Sequence, residues 1–493
     1  MAQYVLRHAA AQPQKDALVV VGASDQQSLT YAALERAVLG LAQGFLDRGL
    51  KPGDIVLLRL GNTVDFPISY LAAIAAGLVA VPTSSMLTDR EVDSMLSDLN
   101  PSLVIHAPGV ALGHPTCPVL TQADLQALKH GPQADYHLDD SNRLAYIVYT
   151  SGTSGQPSAV MHAHRAIWAR QMMIRDWYAL TGSDRLLHAG AFNWTFTMGT
   201  GLMDPWSCGA TSLILEPGTE ISDIPAILAK HETTVFAAVP GVYRKILQAG
   251  VSTPMPKLRH ALSAGEKLSG TIEFGWKAQT GKAIYEAFGM SECSTFISHA
   301  AHRKAEPGAL GLPQTGRHVA ILSEDGPVPL GETGQIAVHK DDPGLMLGYF
   351  NAPDATQARF QGHWFKTGDL GHMTPNGDIH YDGRADDMMN AGGFRVSPLE
   401  VEQALAPCAG VQHIGVTDVE VKADTRVIAA FFTADETVTE DDLERFAKST
   451  LAGYKQPRIY QKVTALPTNA NGKLDRKRLR ADYEAKHNGS DQA

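Results

Sequence analysis

The stretch that decides the fold is rich in glycine and hydroxyl side chains and reads Tyr149-Thr150-Ser151-Gly152-Thr153-Ser154-Gly155-Gln156-Pro157-Ser158-Ala159-Val160-Met161-His162-Ala163-His164-Arg165. An apolar, β-branched run at residues 144–149 overlaps its start and predicts a short buried strand. Residues 159–177 have helix-like periodicity and predict a helix. The glycine-rich part therefore belongs to a loop between a strand and a helix.

This loop has the composition of an anion-binding loop. Its glycines allow backbone amides to turn toward one point, and Thr150, Ser151, Thr153 and Ser154 add neutral hydroxyl donors. Such a loop can surround the phosphates of a nucleotide. The spacing of a Walker loop is absent. A flexible Ser/Gly linker is the alternative interpretation, but linkers seldom follow a buried strand directly.

Length and composition narrow the class of protein. A chain of 493 residues predicts two or more domains. The formal net charge of -10 argues against a nucleic-acid-binding surface, which needs a basic stripe. The sequence shows no signal-peptide pattern and no apolar run long enough to span a membrane. Four widely spaced cysteines predict reduced thiols in a cytoplasmic protein: Cys117, Cys208, Cys293 and Cys408.

Strand and helix patterns alternate along the first part of the chain. Residues 29–48 carry a helical apolar face with Thr30 as a candidate N-cap, and residues 54–60 and 78–82 have the pattern of buried strands around a helix at 66–76. This alternation predicts an α/β fold with largely parallel sheets. From residue 331 to residue 383 the pattern changes to β-hairpins, which predicts a β-rich subdomain.

The loop at residues 150–159 closely resembles the phosphate-binding signature of the adenylate-forming superfamily, Thr-Ser-Gly-Thr/Ser-Thr/Ser-Gly-x-Pro-Lys-Gly. That superfamily includes the acyl- and aryl-CoA synthetases. Enzymes like the short- or medium-chain acyl-CoA synthetases and enzymes like the benzoate-CoA ligases are both among them. Ser158 and Ala159 stand where the family has lysine and glycine. We expect this departure to slow ATP binding or adenylation, with His162, His164 or Arg165 compensating in part from the following helix. The resemblance places Gly155 and the preceding loop residues on the phosphates.

Two further stretches resemble family signatures around the nucleotide. Leu262-Ser-Ala-Gly265-Glu266 is similar to a loop facing adenine and the acyl site, with Gly265 as its contact. Residues 284–292, Ile-Tyr-Glu-Ala-Phe-Gly-Met-Ser-Glu, are similar to the Tyr-Gly-x-Thr/Ser-Glu signature. The resemblance implies that Glu292 holds Mg²⁺ and that Ser291 lies toward the α-phosphate. The remaining nucleotide contacts that it implies are Glu286, Ala287, Phe288 and Gly289.

Two signatures follow in the β-rich part. Trp364-Phe-Lys-Thr367-Gly-Asp369-Leu resembles the family's Trp-x-x-Thr-Gly-Asp, and a carboxylate at Asp369 can accept hydrogen bonds from both hydroxyls of a ribose. Gly383-Arg384-Ala385-Asp386-Asp387 resembles Gly-Arg-x-Asp-Asp. The resemblance implies that Arg384 assists the ribose or phosphate and that Asp386 is the interdomain hinge.

The end of the chain carries the last two matches. Residues 389–402 resemble the family's loop on the coenzyme A side, with Gly392, Gly393, Phe394 and Arg395 as its members. Gly472-Lys473-Leu474 resembles the Gly-Lys signature of the catalytic lysine, which would be Lys473. A long, mobile point charge suits a group that reaches a reacting phosphate.

An aromatic, glycine-rich stretch at residues 190–199 corresponds to the family's acyl pocket. Apolar walls with room between them are what such a pocket requires, although ordinary core packing explains any single aromatic residue there as well. No basic residue stands out near it to hold a second carboxylate. The predicted pocket residues are Phe192, Trp194, Phe196, Met198 and Val239.

The resemblance covers nearly the whole chain and implies an AMP-forming acyl- or aryl-CoA ligase that uses ATP, Mg²⁺ and coenzyme A. It predicts a large N-terminal domain at residues 1–385 and a small mobile α+β domain at residues 386–493. Two alternatives stay open: an enzyme that loads a carrier protein, and a nucleotide-binding relative without catalysis. The sequence does not identify the acid or the oligomeric state.

Overall fold

The computed structural model describes residues 1–22, 27–150, 158–265, 268, 270–303, 305–384, 389–391, 394–396, 398–422, 425–467 and 474–487. Contacts between Cα atoms divide the chain into two compact units. One unit contains Met1–Ser85, Leu99–Val148 and Ala159–Gly383, and the other contains Met86–Asp98, Tyr149–Ser158 and Arg384–Ala493. The predicted boundary at residue 385 stays a prediction, and the second unit also takes in two short segments from earlier in the chain.

Two sheets of the first unit are mainly parallel, as the strand and helix alternation predicts. The nine-stranded sheet runs in the spatial order Leu312–Pro313, Ser294–Ser298, Ile284–Met290, His260–Ala264, Val235–Ala238, Arg185–His188, Thr211–Leu215, Asp16–Val21 and Gln27–Thr30. Its six central strands are parallel and its outer pairs antiparallel. Long apolar runs such as Val235–Ala238 form these strands because both faces are covered.

The seven-stranded sheet carries the start of the glycine-rich stretch. Its order is Gly348–Tyr349, Ser158–Ala163, Leu144–Thr150, Val79–Pro82, Ile55–Arg59, Leu103–His106 and Val119–Thr121. The predicted helix at residues 159–177 is wrong in its first part, because Ser158–Ala163 is a strand. It lies between Gly348–Tyr349 and Leu144–Thr150 in the sheet, so its extended conformation depends on a partner from much later in the chain.

The β-rich part is an antiparallel sheet, as predicted. Its strands are Gly326–Pro327, Val319–Ser323, Thr333–His339, Trp364–Met373 and Phe360–Gln361, and Ile379–Arg384 pairs with Trp364–Met373. In the second unit Val411–Lys422, Thr425–Ala434 and Ile459–Lys462 form one sheet, and Met389–Ala391 pairs with Phe394–Val396.

The helices cover the sheets. Thr30 caps the helix Tyr31–Leu46 through its hydroxyl, as predicted. Two segments, Ile174–Tyr178 and Thr197–Met203, are π-helical. Ile221–Asp223 is a 3₁₀ turn. The α-helices are Ala2–Val5, Tyr31–Leu46, Asp65–Ala75, Asp89–Leu99, Gln122–Leu128, Ala166–Met173, Asp204–Cys208, Ile224–Lys230, Pro240–Ala249, Gly270–Thr280, Pro353–Ala358, Pro398–Leu405, Glu440–Thr450 and Arg476–His487. Within the described ranges, none of these helices combines the length and the apolar character needed to cross a membrane.

Candidate active site

Ser291 and Glu292 lie in the tight turn between the strands Ile284–Met290 and Ser294–Ser298. The turn requires Gly289, because a Cβ there would lie 2.3 Å from the backbone oxygen of Ser294. Glu292 is buried, and its Oε1 accepts a hydrogen bond of 2.8 Å from the hydroxyl of Tyr349. The backbone oxygen of Glu292 also accepts from the amide of Met346. The carboxylate is therefore held in one position.

The imidazole of His162 positions Ser291 from the neighbouring sheet. Its Nε2 lies 2.7 Å from the backbone oxygen of Ser291, and its ring stacks on Tyr146 with 4.8 Å between centroids. Burial lowers the pKa of His162 to about 4, so the ring is neutral near pH 7 and donates from Nε2.

The strand Ile284–Met290 places the other predicted nucleotide contacts in three environments. Glu286 is buried, and its Oε1 accepts a hydrogen bond from the amide of Leu268. Ala287 is buried among aromatic side chains. Phe288 is half-buried and lies edge-on to Phe296 at 5.5 Å between centroids. Of the three, Phe288 therefore has the partly exposed ring that stacking on a base requires.

Asp369 lies in the strand Trp364–Met373 and is almost fully buried. Its backbone amide donates to the hydroxyl of Thr367, and the hydroxyl of Tyr381 lies 3.5 Å from its Oδ1. Gly368 before it has a φ of 84°, a conformation that glycine adopts without strain. The role of Asp369 at the ribose stays a prediction.

A buried ion pair lies beside the turn at Ser291 and Glu292, and the sequence did not predict it. Arg170 donates from Nε and Nη2 to the two carboxylate oxygens of Asp204, at 2.8 and 2.6 Å. Its Nη1 donates to Ser294 at 2.9 Å, and Tyr178 donates to Asp204. Burial alone would lower the pKa of Arg170, but Asp204 outweighs it and the pKa is raised. The arginine therefore stays charged and its charge is matched.

Gly199 makes room for the guanidinium. A Cβ at this position would lie 1.9 Å from Nη2 of Arg170. The residue belongs to the π-helical segment Thr197–Met203, and π-helical segments occur frequently at functional sites. Sequence reasoning did not find this arrangement, because an arginine and a glycine far apart in the chain give no local signal.

A pocket opens between Ser291 and the ion pair. About 370 Å³ of empty space lies between its lining residues, and part of that space is open to solvent. Its lining combines aromatic, apolar and hydrogen-bonding side chains from both parallel sheets and from the helices that pack on them. The lining residues are Tyr70, Pro82, Tyr146, Val148, His162, Arg170, Asn193, Thr195, Met198, Met203, Ser291 and Ser294.

The residues predicted for the acyl pocket do not all meet here. Met198 lines this pocket, whereas Phe192 packs on Phe66 in the core. Trp194, Phe196 and Val239 belong to a separate apolar cluster around Trp177. Arg170 lines the pocket, but Asp204 engages its guanidinium, so the expectation that no basic residue stands there to hold a second carboxylate stays a prediction.

Several predicted site residues are next to, or within, segments that the structure does not describe. Thr150 is half-buried at the end of the strand Leu144–Thr150, and Gly265 is exposed with a φ of 95°. Arg384 and Arg395 are described by their backbone alone, in strands. The ring of Phe394 stacks on Tyr454 at 4.1 Å between centroids. Outside the described residues lie Ser151, Gly152, Thr153, Ser154, Gly155, Asp386, Gly392, Gly393 and Lys473.

The expected compensation for Ser158 is not supported by the side chains described. The Nδ1 of His164 lies 3.1 Å from the terminal amine of Met1. Arg165 donates to the backbone oxygens of Pro343 and Leu345. His162 is committed to Ser291. All three side chains therefore have other partners.

The donor chemistry at Glu292 fits a magnesium ion bound together with a nucleotide. Oε1 is bonded to Tyr349, while no hydrogen bond to Oε2 is found within the described ranges. Those ranges also contain no cluster of three or more His, Cys, Asp or Glu side chains arranged to hold a metal. Mg²⁺ commonly takes one or two carboxylates and completes its shell with phosphate oxygens and water. One carboxylate is therefore sufficient.

Comparison with known proteins decides the family. Residues 5–350 match the model of the AMP-binding enzyme family, and residues 400–473 match that of the AMP-binding enzyme C-terminal domain. The chain belongs to the AMP-binding enzyme family. Because the first match alone covers more than half of the chain, the predicted membership of the adenylate-forming superfamily is confirmed, and with it the class of acid–thiol ligases.

The relatives agree with this assignment. The 4-hydroxybenzoate–CoA/benzoate–CoA ligase of Rhodopseudomonas palustris is 30% identical over 488 residues, covering 92% of this chain and 89% of its own. The mitochondrial acyl-coenzyme A synthetase ACSM3 of Rattus norvegicus is 27% identical, covering 87% and 80%. The crystal structure of a benzoate CoA ligase from Burkholderia xenovorans is similar at a TM-score of 0.71 and 28% identity, covering 97% and 99%. The predicted α/β fold is likewise confirmed.

Proposed function

We propose that this protein activates a small carboxylic acid with ATP and transfers the acyl group to the thiol of coenzyme A. In the first step an oxygen of the acid attacks the α-phosphorus and pyrophosphate leaves, giving an acyl-adenylate. In the second step the thiol sulfur attacks the acyl carbon, and AMP leaves with the oxygen that came from the acid. Splitting the reaction in this way replaces a poor leaving group by a good one.

The observation that carries this proposal is the turn at Ser291 and Glu292. Ser291 lines the pocket, and the adjacent Glu292 is buried with its carboxylate held by Tyr349. An acid in the pocket and phosphates at Glu292 would be neighbours along one turn. Mg²⁺ held by Glu292 would neutralise phosphate charge there, and the residues of the turn would position the two reactants. Positioning and electrostatics are the main contributions that proteins make to such reactions.

The nucleotide end of the proposal depends on Asp369 and Phe288. A buried carboxylate can accept from two adjacent hydroxyls, which suits a ribose. Phe288 offers a partly exposed ring for the base. The family resemblance adds Lys473 for the first step and the Gly392–Gly393 loop for the second, with a hinge at Asp386 exchanging them, and these roles rest on the sequence.

The activity is tested by product analysis with a panel of acids. The purified protein is incubated with ATP, Mg²⁺, coenzyme A and each acid, and AMP, ADP, pyrophosphate and thioester are quantified. The proposal predicts equal amounts of AMP, pyrophosphate and acyl-CoA for at least one acid. Acyl-adenylate without thioester, together with acyl transfer to a pantetheinylated carrier protein, would favour the carrier-loading alternative. Formation of no AMP with any acid would contradict the proposal.

Lys473→Ala separates the two steps. We expect this variant to lose formation of acyl-adenylate from ATP and acid but to keep thioester formation from synthetic acyl-adenylate. Lys477→Ala, in the helix Arg476–His487, is the matched control for loss of a nearby positive charge. Equal loss of both steps in Lys473→Ala would show that the lysine does not act in adenylation specifically.

A further inference from the structure

Tyr70 and Tyr146 stand side by side in the wall of the pocket. Tyr70 belongs to the helix Asp65–Ala75 and Tyr146 to the strand Leu144–Thr150, and their ring centroids are 5.9 Å apart. Only 1% of Tyr70 and 7% of Tyr146 is exposed. In the part of the chain that the structure describes, neither hydroxyl has a hydrogen-bond partner, although both side chains line the pocket. Two hydroxyls without a protein partner therefore face the pocket.

Such hydroxyls can pair with a ligand that enters the pocket. A ligand that covers them without offering a hydrogen bond cuts them off from water and leaves them unpaired, which costs free energy. Tyrosines that only fill space in a core normally find a partner for their hydroxyl. In this molecule Tyr243 donates to Leu262 and Tyr31 donates to Ala210. Tyr70 and Tyr146 differ from these, and also from Tyr460 with its unpaired buried hydroxyl, because their hydroxyls face a pocket.

The pocket does not offer a free positive charge. Arg170 is the one arginine or lysine among the described lining residues, and Asp204 engages its guanidinium through two hydrogen bonds. Burial lowers the pKa of His162 to about 4, which leaves it neutral. Burial also raises the pKa of Tyr146 to about 12, so its hydroxyl stays protonated and available as a donor. A second carboxylate would be buried here without a counter-charge, which is strongly unfavourable.

The remaining walls set the shape of the ligand. They comprise the apolar side chains of Pro82, Val148, Met198 and Met203 and the polar side chains of Asn193, Thr195 and Ser294, and the space between them is narrow. The rings of Tyr70, Tyr146 and His162 adjoin one another in that order, and His162 contacts Ser291. A compact acid whose carboxylate lies at Ser291 would therefore direct its other end toward the tyrosines.

We propose that the acid accepted by this pocket is small and carries a neutral hydrogen-bonding group, such as a hydroxyl, which pairs with the hydroxyls of Tyr70 and Tyr146. This inference rests on the proposed function and specifies its substrate class. The inference separates hydroxy acids from two other classes of acid. Plain alkyl or aryl acids would leave the hydroxyls of Tyr70 and Tyr146 unpaired. Dicarboxylates would bring a second negative charge for which the pocket has no counter-charge. Selectivity of this kind is strong where a site is built to hydrogen-bond a substrate hydroxyl.

The test compares pairs of acids that differ by one group. The kcat/KM for AMP formation is measured for benzoate against 3- and 4-hydroxybenzoate, for butyrate against 3-hydroxybutyrate, and for malonate and succinate. We expect at least one hydroxy acid to exceed its unsubstituted counterpart and both dicarboxylates by roughly tenfold or more. A preference of the unmodified protein for an unsubstituted acid or a dicarboxylate would overturn the inference.

Tyr70→Phe and Tyr146→Phe remove one hydroxyl each and keep the ring. We expect each variant to lower kcat/KM for the preferred hydroxy acid by roughly tenfold while leaving the unsubstituted acid unchanged or improved. The unsubstituted acid also reports whether the variant is folded. Tyr460→Phe, which removes a buried hydroxyl outside this pocket, is the matched control and should leave the preference unchanged.

The outcomes separate this inference from the proposed function. AMP formation with a preference that neither tyrosine variant alters would overturn the inference and leave the ligase activity standing. Absence of AMP with every acid would overturn the proposed function, and the inference with it. An equal loss for hydroxylated and unsubstituted acids would assign the tyrosines a structural role and would also overturn the inference.

Discussion

The hydroxyl of Tyr349 donates a hydrogen bond of 2.8 Å to Oε1 of Glu292, and both residues are buried. Burial and the carboxylate of Glu292 raise the pKa of Tyr349, so the phenol stays protonated and remains a donor at neutral pH. Tyr349 lies in a strand that pairs with Ser158–Ala163, so the sheet itself fixes the donor. The carboxylate is thereby held in one orientation before any cation arrives.

Replacing Glu292 by glutamine removes the charge and keeps the shape. The amide oxygen can still accept from Tyr349, so we expect a folded protein whose AMP formation is roughly 10- to 150-fold slower, corresponding to about 1.5–3 kcal/mol for a lost charged partner. Initial rates over a range of Mg²⁺ concentrations give the measurement. Tyr349→Phe keeps the charge and loses one hydrogen bond, and it should have the smaller effect. Unchanged rates and magnesium dependence in Glu292→Gln would exclude Glu292 as the ligand.

We expect Asp369→Ala to weaken the binding of ATP far more than the binding of the acid. The lost partner would be the ribose diol, and losing a hydrogen bond to a charged group costs about 1.5–3 kcal/mol, or roughly 10- to 150-fold in the KM for ATP. The KM for the acid should stay within about threefold. Tyr381→Phe, which alters the neighbour 3.5 Å from Oδ1, is the control. An equal rise in both KM values would mean that Asp369 supports the fold.

Arg170→Met is expected to destabilise the protein by about 3–5 kcal/mol, because it leaves the charge of Asp204 buried and unpaired. Urea unfolding followed by tryptophan fluorescence measures the change, since Trp177 and Trp206 are buried nearby in the same unit. The double variant Arg170→Met/Asp204→Leu has no unpaired charge and should lose less stability than the sum of the two single variants. Additive losses would show that the two side chains act independently.

We expect the free energy of unfolding to decrease in weak acid because the buried ring of His188 resists protonation. Neither ring nitrogen has a partner within the described residues, and burial lowers its pKa from 6.5 to about 3. Below pH 6.5 the unfolded chain binds a proton that the native protein does not, so stability decreases as the pH falls toward 3. Between pH 7.5 and pH 5.0 this amounts to about 2 kcal/mol.

The measurement is the difference in unfolding free energy between these two pH values. His188→Leu, which cannot titrate, should lose about 2 kcal/mol less than the unmodified protein over the same interval. His114→Gln, at an exposed histidine, should behave like the unmodified protein. A pH dependence that is the same in His188→Leu would mean that His188 does not differ between the folded and unfolded states.

The sequence predicted the parts of this molecule that depend on contiguous residues. The helix Tyr31–Leu46 begins after its expected cap at Thr30, and Ser291 and Glu292 lie together in one turn because they are adjacent in the chain. The buried strands around them follow from apolar runs, since a strand covered on both faces needs no alternation.

The parts that were missed depend on residues brought together from distant segments. Tyr70, Tyr146 and Arg170 come from three elements, and no spacing in the sequence relates them. The strand Ser158–Ala163 was predicted as a helix, because a short run with buried residues two and three apart fits either period until its partner Gly348–Tyr349 is known. Phe192 and Met198 are close in sequence yet lie in the core and in the pocket wall respectively.

The most direct test of activation through an acyl-adenylate follows an oxygen atom of the acid. The preferred acid, labelled with ¹⁸O in its carboxylate, is converted with ATP and coenzyme A in unlabelled water, and the AMP is analysed by mass spectrometry. Activation through an acyl-adenylate predicts that each AMP carries one ¹⁸O atom from the acid and that the pyrophosphate carries none. Unlabelled AMP, or label found in ADP, phosphate or pyrophosphate, would contradict it.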